Sequence, residues 1–251
     1  MNPAPAPFPP QADETLDRLL IQDMTLLQSR SGYRFSIDSV LLSMWMNVKQ
    51  VHKAADLGTG SGVMPLLAST RSSLMQTDAL ELQDSLCQRA RKNIANNHKE
   101  HAVRIIQGDI TQIQEILPGN SYDLVFSNPP FFRAGEGIIN PHPEKAAARH
   151  ELYVTLEQVV QASKYLLRPG KSMALVLNAA RLAEITGLCL QAGFSLKRLR
   201  LVYPRIQAGA SMILLEASSQ LPCALVIEPP LVIYQEDGNY SPEILSWYNL
   251  A

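Results

Sequence analysis

The 251-residue sequence lacks the signals that mark secreted, metal-binding and membrane-spanning proteins. It has three cysteines (Cys87, Cys189 and Cys223), which are widely spaced and form no CxxC pair. An odd, scattered set argues against structural zinc and for a reducing compartment. No apolar run approaches the length of a transmembrane helix. We therefore expect a cytoplasmic protein that binds no metal and no membrane.

The sequence also lacks an excess of charge of either sign, since 22 basic and 23 acidic residues give a net charge of −1. Without a global positive field, a nucleic-acid partner has to be bound by local basic clusters. Candidate clusters lie between Lys197 and Arg205 and between Arg30 and Arg34. A charge run on a strand edge is also typical of a solvated face, so both interpretations stay open.

The N-terminal segment MNPAPAPFPPQADE is rich in proline and has no basic region followed by an apolar core. It is typical of a disordered tail, not of a secretion signal. We predict a tail over residues 1–15 and a cap segment over residues 16–50. The cap is expected to contain a strand or two and a short helix with Asp38 as its N-cap. Residues 51–251 are predicted to form the main domain.

From Ala54 onward, apolar strands alternate with amphipathic helices. KAADLG, MQTDALEL, VRIIQGDI, YDLVFS and KSMALVLNA read as strands with helical segments between most of them. This alternation predicts an α/β fold with a mostly parallel sheet and helices on both faces. SLKRLRLVYP and ASMILLEAS follow with no helix between them, which predicts an antiparallel hairpin at the sheet edge.

A glycine-rich turn separates the first of these strands from its helix. DLGTGSG runs from Asp56 to Gly62, and Gly58, Gly60 and Gly62 let the backbone turn tightly and approach a ligand. Glu81 ends the next strand, about 20 residues further on, where a carboxylate can accept from ribose hydroxyls. A glycine triplet alone can be a mere turn, and a lone carboxylate can be a solvated strand end. Their combination favours a nucleoside-binding site.

The spacing of the glycines favours S-adenosylmethionine over a dinucleotide. Dinucleotide folds use GxGxxG and hold a pyrophosphate at a helix N-terminus, whereas these glycines fall as GxGxG behind Asp56. A carboxylate there repels a diphosphate but suits an ammonium group. Asp109, after the third strand, can accept from the adenine amino group, although alone it can equally be a turn residue. Three acidic residues at three successive strand ends favour S-adenosylmethionine.

The fourth strand ends abruptly in SNPPFF, Ser127 to Phe132. Two prolines force a stiff, non-helical turn, which aims main-chain carbonyls and the Asn128 amide oxygen at one spot. Two such acceptors can bind both hydrogens of an exocyclic amino group and direct its lone pair at a methyl donor. Phe131 supplies a flat face on which a planar substrate can stack. A proline-rich turn with two core phenylalanines is the simpler alternative.

These motifs, in this order, resemble the class I amino-methyltransferases that use an NPP[FY] turn. GYRFSIDSVLLSMW, AARHE and PPLVIYQEDGNYS further resemble one bacterial family, the tRNA(valine) adenine-N6 methyltransferases, over roughly Leu19 to the C-terminus. That family methylates the adenosine just 3′ of the anticodon. The resemblance implies a Rossmann-like, seven-stranded, mostly parallel sheet in a methyltransferase domain over residues 51–251, S-adenosylmethionine as cofactor and tRNA as partner.

The resemblance also implies roles for single residues. Catalysis falls to Asn128, Pro129, Pro130 and Phe131. The cofactor-binding set is Phe35, Asp38, Asp56, Gly58, Thr59, Gly60, Gly62, Glu81, Asp109, Ile110 and Asn128. Substrate-binding candidates are Phe132 as a pocket wall, Arg133 beside the catalytic turn, Arg149 for phosphate and Arg200 in the basic cluster. Arg149 can equally serve only as a scaffold at a helix start.

Other functions are consistent with parts of the pattern. Enzymes that methylate guanine N2 or a protein glutamine use close variants of NPPF, so the turn alone does not select the substrate. A non-catalytic module that binds S-adenosylmethionine is a second alternative, but cofactor binding does not require the SNPPF turn. A nicotinamide-dependent oxidoreductase is disfavoured by the glycine spacing.

Overall fold

The first ordered unit of the fold is an antiparallel hairpin of β1 (Glu14–Leu19) and β2 (Met24–Ser29). Glu14 is buried and pairs with Arg89 at 3.3 Å. The predicted tail boundary at residue 15 therefore falls inside β1, because this ion pair fixes the start of the strand. The computed structural model describes residues 8–131 and 153–248 apart from Leu20, Gln22, Tyr33 and Leu221.

The centre of the fold is a mostly parallel sheet. Its order is β10-β8-β9-β7-β6-β3-β4-β5, with β11 also pairing with β8, and β9 runs antiparallel to both of its neighbours. The predicted parallel sheet and terminal hairpin are thus confirmed. The strands are β3 (Lys53–Leu57), β4 (Gln76–Glu81), β5 (Val103–Gln107), β6 (Tyr122–Ser127), β7 (Leu167–Asn178), β8 (Ser195–Tyr203), β9 (Met212–Ser218), β10 (Val226–Ile227) and β11 (Leu231–Val232).

The sheet has nine strands in the part of the chain that the structure describes, where the sequence predicted seven. The difference is β10 and β11, which are two residues long and pair in parallel with the outer edge of β8. They form backbone hydrogen bonds with β8, whose outer edge would otherwise have unpaired backbone groups. Pro229 and Pro230 lie between them and remove the backbone donors that a longer strand needs.

Helices cover both faces of the sheet. The N-terminus of α5 has the predicted capping box, in which Thr155 accepts from the Gln158 backbone and the Gln158 side chain accepts from the Thr155 backbone. The helices are α1 (Ile37–Trp45), α2 (Val63–Arg71), α3 (Asp84–Asn96), α4 (Ile113–Ile116), α5 (Leu156–Leu166), α6 (Leu182–Gln191) and α7 (Pro242–Trp247).

Strand β6 lies in the middle of the core, and all six of its residues are buried. Val125 packs into an apolar cluster with residues of α5 and α6, whereas Leu124 and Phe126 pack with residues of α1 and α2. A strand covered on both faces is continuously apolar, which explains the run YDLVFS. Burial of a side chain such as Phe126 contributes roughly 2–3 kcal/mol to folding. The residue that follows this strand is therefore held on a rigid support.

The parallel strands β3 to β6 all end at the same edge of the sheet. In this topology, ligands bind outside the carboxyl ends of the strands. The glycine loop, Glu81, Asp109 and Asn128 follow or end these four strands. The fold therefore brings together residues that are up to 72 positions apart in the sequence, from Asp56 to Asn128.

Candidate active site

A cavity of about 570 Å³ opens at this edge. Its volume is in the range of sites for small ligands and cofactors. Acidic, glycine and apolar side chains of several elements line it. The lining residues are Arg34, Ser36, Asp38, Leu57, Gly58, Gly60, Leu80, Glu81, Leu82, Gln83, Leu86, Gly108, Asp109, Ile110, Ser127, Asn128, Pro129, Pro130, Phe131, Tyr153, Val154 and Val159.

The glycine loop forms one wall of this cavity. Gly58 and Gly60 have φ values of +77° and +59°, which side chains other than glycine rarely adopt. The Gly58 and Thr59 amides both donate to the Leu80 carbonyl at 2.9 Å, so the loop is tied to β4. A Cβ added at Gly58 meets no atom within 4 Å. The space beside this backbone is therefore open to a ligand.

Gly62 lies between two helices, and its predicted contact with the cofactor stays a prediction. It lies at the N-cap of α2 with φ +82°, and a Cβ there would stand 3.2 Å from the Ala90 Cβ. It is not among the residues that line the cavity. The absence of a side chain at Gly62 lets α2 and α3 pack closely, so both this packing and the positive φ favour glycine here.

Glu81 lines the cavity at the end of β4. Its carboxylate accepts from the Gly60 amide at 2.8 Å and from the Gln83 amide at 2.9 Å. Each carboxylate oxygen can accept more than one hydrogen bond, so these contacts leave Glu81 able to accept from ribose hydroxyls. The side chain also fixes the glycine loop, a role that the sequence did not reveal.

Asp56 is fully buried, and in the described part of the chain neither of its carboxylate oxygens has a hydrogen-bond partner. Burial raises the pKa of Asp56 to about 8; the nearby Thr59 hydroxyl lowers this pKa and the Glu81 charge raises it. Without a cation nearby, the carboxyl group is therefore mostly protonated at pH 7. A protonated Asp56 carries no charge that would repel a diphosphate, contrary to the expectation from the sequence. Asp56 and Thr59 are also not among the lining residues, whereas Leu57, Gly58 and Gly60 are.

Asp109 and Ile110 follow β5 and line the cavity. Asp109 accepts from the Thr111 amide at 2.8 Å and caps a short 3₁₀ helix over Ile110–Gln112. Asp109 thus forms the turn and also lines the cavity, and its contact with the adenine amino group stays a prediction. The second carboxylate oxygen has no partner among the described residues, which leaves an acceptor for an amino group.

Asn128 lines the cavity at the end of β6, and its orientation is fixed by α1. The Asn128 amide nitrogen donates to Asp38 at 3.0 Å and to the Ser39 hydroxyl at 3.2 Å. Because a carboxylate only accepts, the amide group must present its nitrogen to Asp38. The amide oxygen then points away from α1, and no group in the described ranges donates to it.

Asp38 does not cap its helix. The N-cap of α1 is Ser36, and Asp38 is the second helical residue, buried, with one carboxylate oxygen accepting from the Ser36 hydroxyl and the other from Asn128. The predicted N-cap role is therefore wrong, because Asp38 is engaged by tertiary contacts. Asp38 lines the cavity, and its contact with the cofactor stays a prediction.

Pro129 and Pro130 of the predicted catalytic turn also line the cavity, together with Phe131. The Pro130 carbonyl accepts from the Arg181 guanidinium at 3.1 Å. Arg181 is buried and makes a two-pronged ion pair with Glu184 at 2.8 and 2.9 Å. The carbonyl of the preceding Pro129 has no protein donor among the residues described.

Two predicted residues lie elsewhere. Phe35 is not in the lining; it packs against an apolar cluster that includes Val63, while Arg34 and Ser36 on either side of it line the cavity. Arg200 is buried and pairs with Glu243 through two contacts of 2.7 Å, and it also donates to the Pro229 carbonyl at 2.9 Å. These contacts give Arg200 a structural role in anchoring α7.

The basic clusters are largely neutralised. Lys197 and Arg198 both pair with Glu216, and Arg198 also pairs with Glu228 while its guanidinium lies over the Trp45 ring. Arg34 pairs with Asp17. Three predicted substrate residues, Phe132, Arg133 and Arg149, lie outside the described residues.

The sequence did not predict Ser39 or Arg181 as parts of the site. Arg181 follows β7, which is parallel to β6. A polar residue at the carboxyl end of the strand next to the catalytic strand is the signal that could have identified it. Ser39 belongs to α1, and nothing in its local sequence indicates contact with Asn128.

The site fits S-adenosylmethionine on three observations. The orphaned, buried Asp56 carboxyl can gain a cationic partner, and the open space at Gly58 admits a ligand against the backbone. Glu81 and Asp109 offer acceptors at two neighbouring strand ends, next to apolar walls such as Leu86.

The described residues contain no cluster of three or more histidine, cysteine or acidic groups suited to a metal ion. Nor is any helix among them long and apolar enough to cross a bilayer.

Comparison with known proteins agrees with this geometry. Residues 31–195 match the family model of the methyltransferase small domain. The chain is similar to the tRNA1(Val) (adenine(37)-N6)-methyltransferase of Aeromonas salmonicida, with 34% identity over 66% of this chain and 68% of the relative. It is 32% identical to the protein of the same name from Aeromonas hydrophila, over 84% of this chain and 87% of the relative.

The fold is also similar to that of a solved structure, the protein Atu636 of Agrobacterium tumefaciens, described as a predicted O-methyltransferase. The TM-score is 0.67, with 18% identity over 84% of this chain and 95% of the other. This likeness concerns the fold, which is that of class I methyltransferases that use S-adenosylmethionine. The family match and the two relatives go further: the chain belongs to the methyltransferase small domain family and, within it, to the tRNA1(Val) (adenine(37)-N6)-methyltransferases.

Proposed function

We propose that the protein transfers a methyl group to N6 of an adenosine in tRNA, the one at position 37 beside the anticodon of a valine tRNA. The names of the relatives support this substrate. The site observation that carries the proposal is the orientation of Asn128, whose amide oxygen is left as an acceptor at the cavity. With such a substrate, we further propose that the protein acts in the cytoplasm.

The chain's own residues position the amine. The Asn128 amide oxygen and the Pro129 carbonyl accept its two hydrogens, while the Phe131 ring provides a surface for the base. These acceptors favour a pyramidal nitrogen with its lone pair directed into the cavity, so a strong general base is not required. S-Adenosylmethionine, when bound, supplies an electrophilic methyl group on a positively charged sulfur.

RNA has to be held by groups other than the cluster at Lys197 and Arg198, because acidic residues already neutralise that cluster. Arg30 and Arg205 are exposed and have no ionic partner among the residues described. We assign phosphate contacts to them and to Arg133 and Arg149, which lie outside the described residues. This distribution matches a net charge near zero, since only local groups are needed.

Transfer of labelled methyl groups to unmodified valine tRNA tests the proposal. The purified protein, S-adenosylmethionine and a transcript with adenosine at position 37 are expected to yield N6-methyladenosine in nucleoside analysis. A transcript with guanosine at position 37 is the matched control and is expected to yield no labelled nucleoside. Label in N2-methylguanosine or in a protein glutamine would instead support the alternative substrates and contradict this one.

A further inference from the structure

We propose that Asp38 and Arg181 are positioning residues that hold the two ends of the catalytic turn, so that its free acceptor oxygens face the cavity. Asp38 acts on the Asn128 side chain and Arg181 acts on the Pro130 carbonyl. The proposal rests on the proposed function only in taking the turn to be the part that binds the reactive amine.

Asp38 imposes one orientation on an amide that could otherwise point either way. An asparagine side chain is a donor on one side and an acceptor on the other, and rotation by 180° exchanges them. Asp38 is buried and its carboxylate is itself held by the Ser36 hydroxyl, while Ser39 offers a second acceptor at 3.2 Å. A rotated amide would set its oxygen against the Asp38 carboxylate, with two acceptors facing each other. The carboxylate therefore excludes the orientation that cannot accept from an amine.

Arg181 fixes the other end of the turn. Its guanidinium is held by two contacts with Glu184, and one remaining N–H reaches the Pro130 carbonyl at 3.1 Å. A planar guanidinium can make this pair of contacts and a third hydrogen bond together, which a lysine ammonium cannot do with the same geometry. The Pro130 carbonyl is thus turned toward Arg181, and Pro129 supplies the carbonyl that stays open.

The two contacts come from different parts of the fold, α1 on one side and the segment after β7 on the other. Preorganised acceptors accelerate a reaction only if they are held where the transition state needs them. The loss of either contact should therefore slow the chemical step and leave the binding of cofactor largely unchanged.

The Asp38→Asn variant tests the first contact. The introduced amide can meet Asn128 in either orientation, so we expect kcat to fall about 10- to 100-fold while the Kd for S-adenosylmethionine changes less than about threefold. Ser39→Ala, which leaves Asp38 in place, is expected to lower kcat about two- to fivefold. Asp84→Asn is the matched control and should leave kcat unchanged. Asp84 is also an acidic residue in the first turn of a helix, but it lies outside the cavity lining and is not among the buried residues of its helix.

A double-mutant cycle separates positioning from a general effect on structure. In an Asn128→Ala background, Asp38→Asn is expected to change kcat less than about twofold, because the group through which it acts is gone. If the two losses instead multiply, Asp38 acts elsewhere and the proposal fails. It also fails if Asp38→Asn alone keeps full kcat, including the case in which this variant weakens only cofactor binding.

Arg181→Lys tests the second contact. It keeps the positive charge for Glu184, and we expect kcat to fall about 5- to 20-fold with the melting temperature within about 3 °C of the parent. Arg168→Lys is the matched control, since Arg168 pairs with Asp123 and lies outside the cavity lining. An unchanged kcat in Arg181→Lys would contradict the second half of the proposal.

These measurements do not depend on the identity of the amine. If the enzyme methylates guanosine or glutamine, the proposed substrate is wrong, but the effects of Asp38→Asn and Arg181→Lys on kcat are still expected with that acceptor. If N6-methyladenosine is formed and these variants are fully active, the substrate stands and the positioning roles are wrong.

Discussion

The Asp38 carboxylate and the Asn128 amide nitrogen lie 3.0 Å apart, although the residues are 90 positions apart in the sequence. Asp38 comes from a helix of the N-terminal segment, and Asn128 follows the last residue of the central strand β6. The contact leaves the amide oxygen as the free acceptor of the side chain. The N-terminal segment therefore contributes directly to the candidate active site.

Asn128→Ala is expected to lower kcat by about 100-fold or more, because it removes one of two preorganised acceptors for the reactive amine. The Kd for S-adenosylmethionine is expected to stay within about threefold, as measured by calorimetry. A loss of cofactor binding with kcat preserved at saturation would assign Asn128 to the cofactor site instead.

Gly58→Ala and Gly62→Ala form a matched pair of variants, one expected to affect mainly cofactor binding and the other mainly the melting temperature. Both positions have positive φ, so each alanine costs about 1–2 kcal/mol of backbone strain. Only at Gly62 does the new methyl group also crowd a neighbour, the Ala90 Cβ at 3.2 Å. Gly62→Ala should therefore lower the melting temperature further than Gly58→Ala does. Gly58→Ala, whose methyl group enters open space beside the cavity, should weaken cofactor binding more, by about tenfold; equal effects on both readouts would contradict these roles.

Asp56 makes the stability of the cofactor-free protein depend on pH. Its pKa rises from 3.8 to about 8 on folding because the carboxyl is buried. Between these values the folded state binds more protons than the unfolded state, so this group lowers stability as pH rises from about 4 to 8. Asp56→Asn removes the titration. Its gain in melting temperature over the parent should grow by about 3 °C or more between pH 5 and pH 8 in calorimetric scans.

Asp56→Asn is also expected to weaken binding of S-adenosylmethionine. It removes a carboxyl group that would lose its proton and pair with the positive charge of the ligand. A gain in stability that accompanies a loss of binding is typical of a functional site. A pH-independent difference in melting temperature between Asp56→Asn and the parent would show that Asp56 is already ionised in the folded protein.

Arg200→Met is expected to destabilise the fold by about 1–3 kcal/mol because it removes the paired contacts with Glu243 and the hydrogen bond to Pro229. Its Kd for tRNA should change less than about twofold. Arg205→Met is the comparison: Arg205 is exposed in the turn after β8, so stability should be kept and tRNA binding reduced. If Arg200→Met weakens tRNA binding at an unchanged melting temperature, Arg200 contacts RNA and the structural role assigned to it is wrong.

The sequence predicted the features that depend on local chemistry or on strand order. The capping box at Thr155 and Gln158 is visible within four residues, and the alternation of strands and helices determines the parallel sheet. Because parallel strands end at one edge, the order of the motifs also predicted that Glu81, Asp109 and Asn128 would meet. The resemblance then gave the narrower family.

Features that depend on distant partners could not be predicted in this way. Arg200 read as part of a basic cluster because its partner, Glu243, is 43 positions away. Asp38 read as a helix cap because the competing contact with Asn128 is tertiary. Gly62 read as a ligand contact, although the neighbour that requires a glycine is Ala90 of the following helix. In each case a tertiary contact overrides a sound local interpretation.

A crystal structure with S-adenosylhomocysteine and an anticodon stem-loop of valine tRNA tests the proposed amine-binding site most directly. We predict that the Asn128 amide oxygen lies about 2.7–3.2 Å from N6 of adenosine 37, with the amide nitrogen still donating to Asp38. An adenosine N6 that meets neither this oxygen nor the Pro129 carbonyl, or an Asn128 side chain turned away from the base, would contradict it.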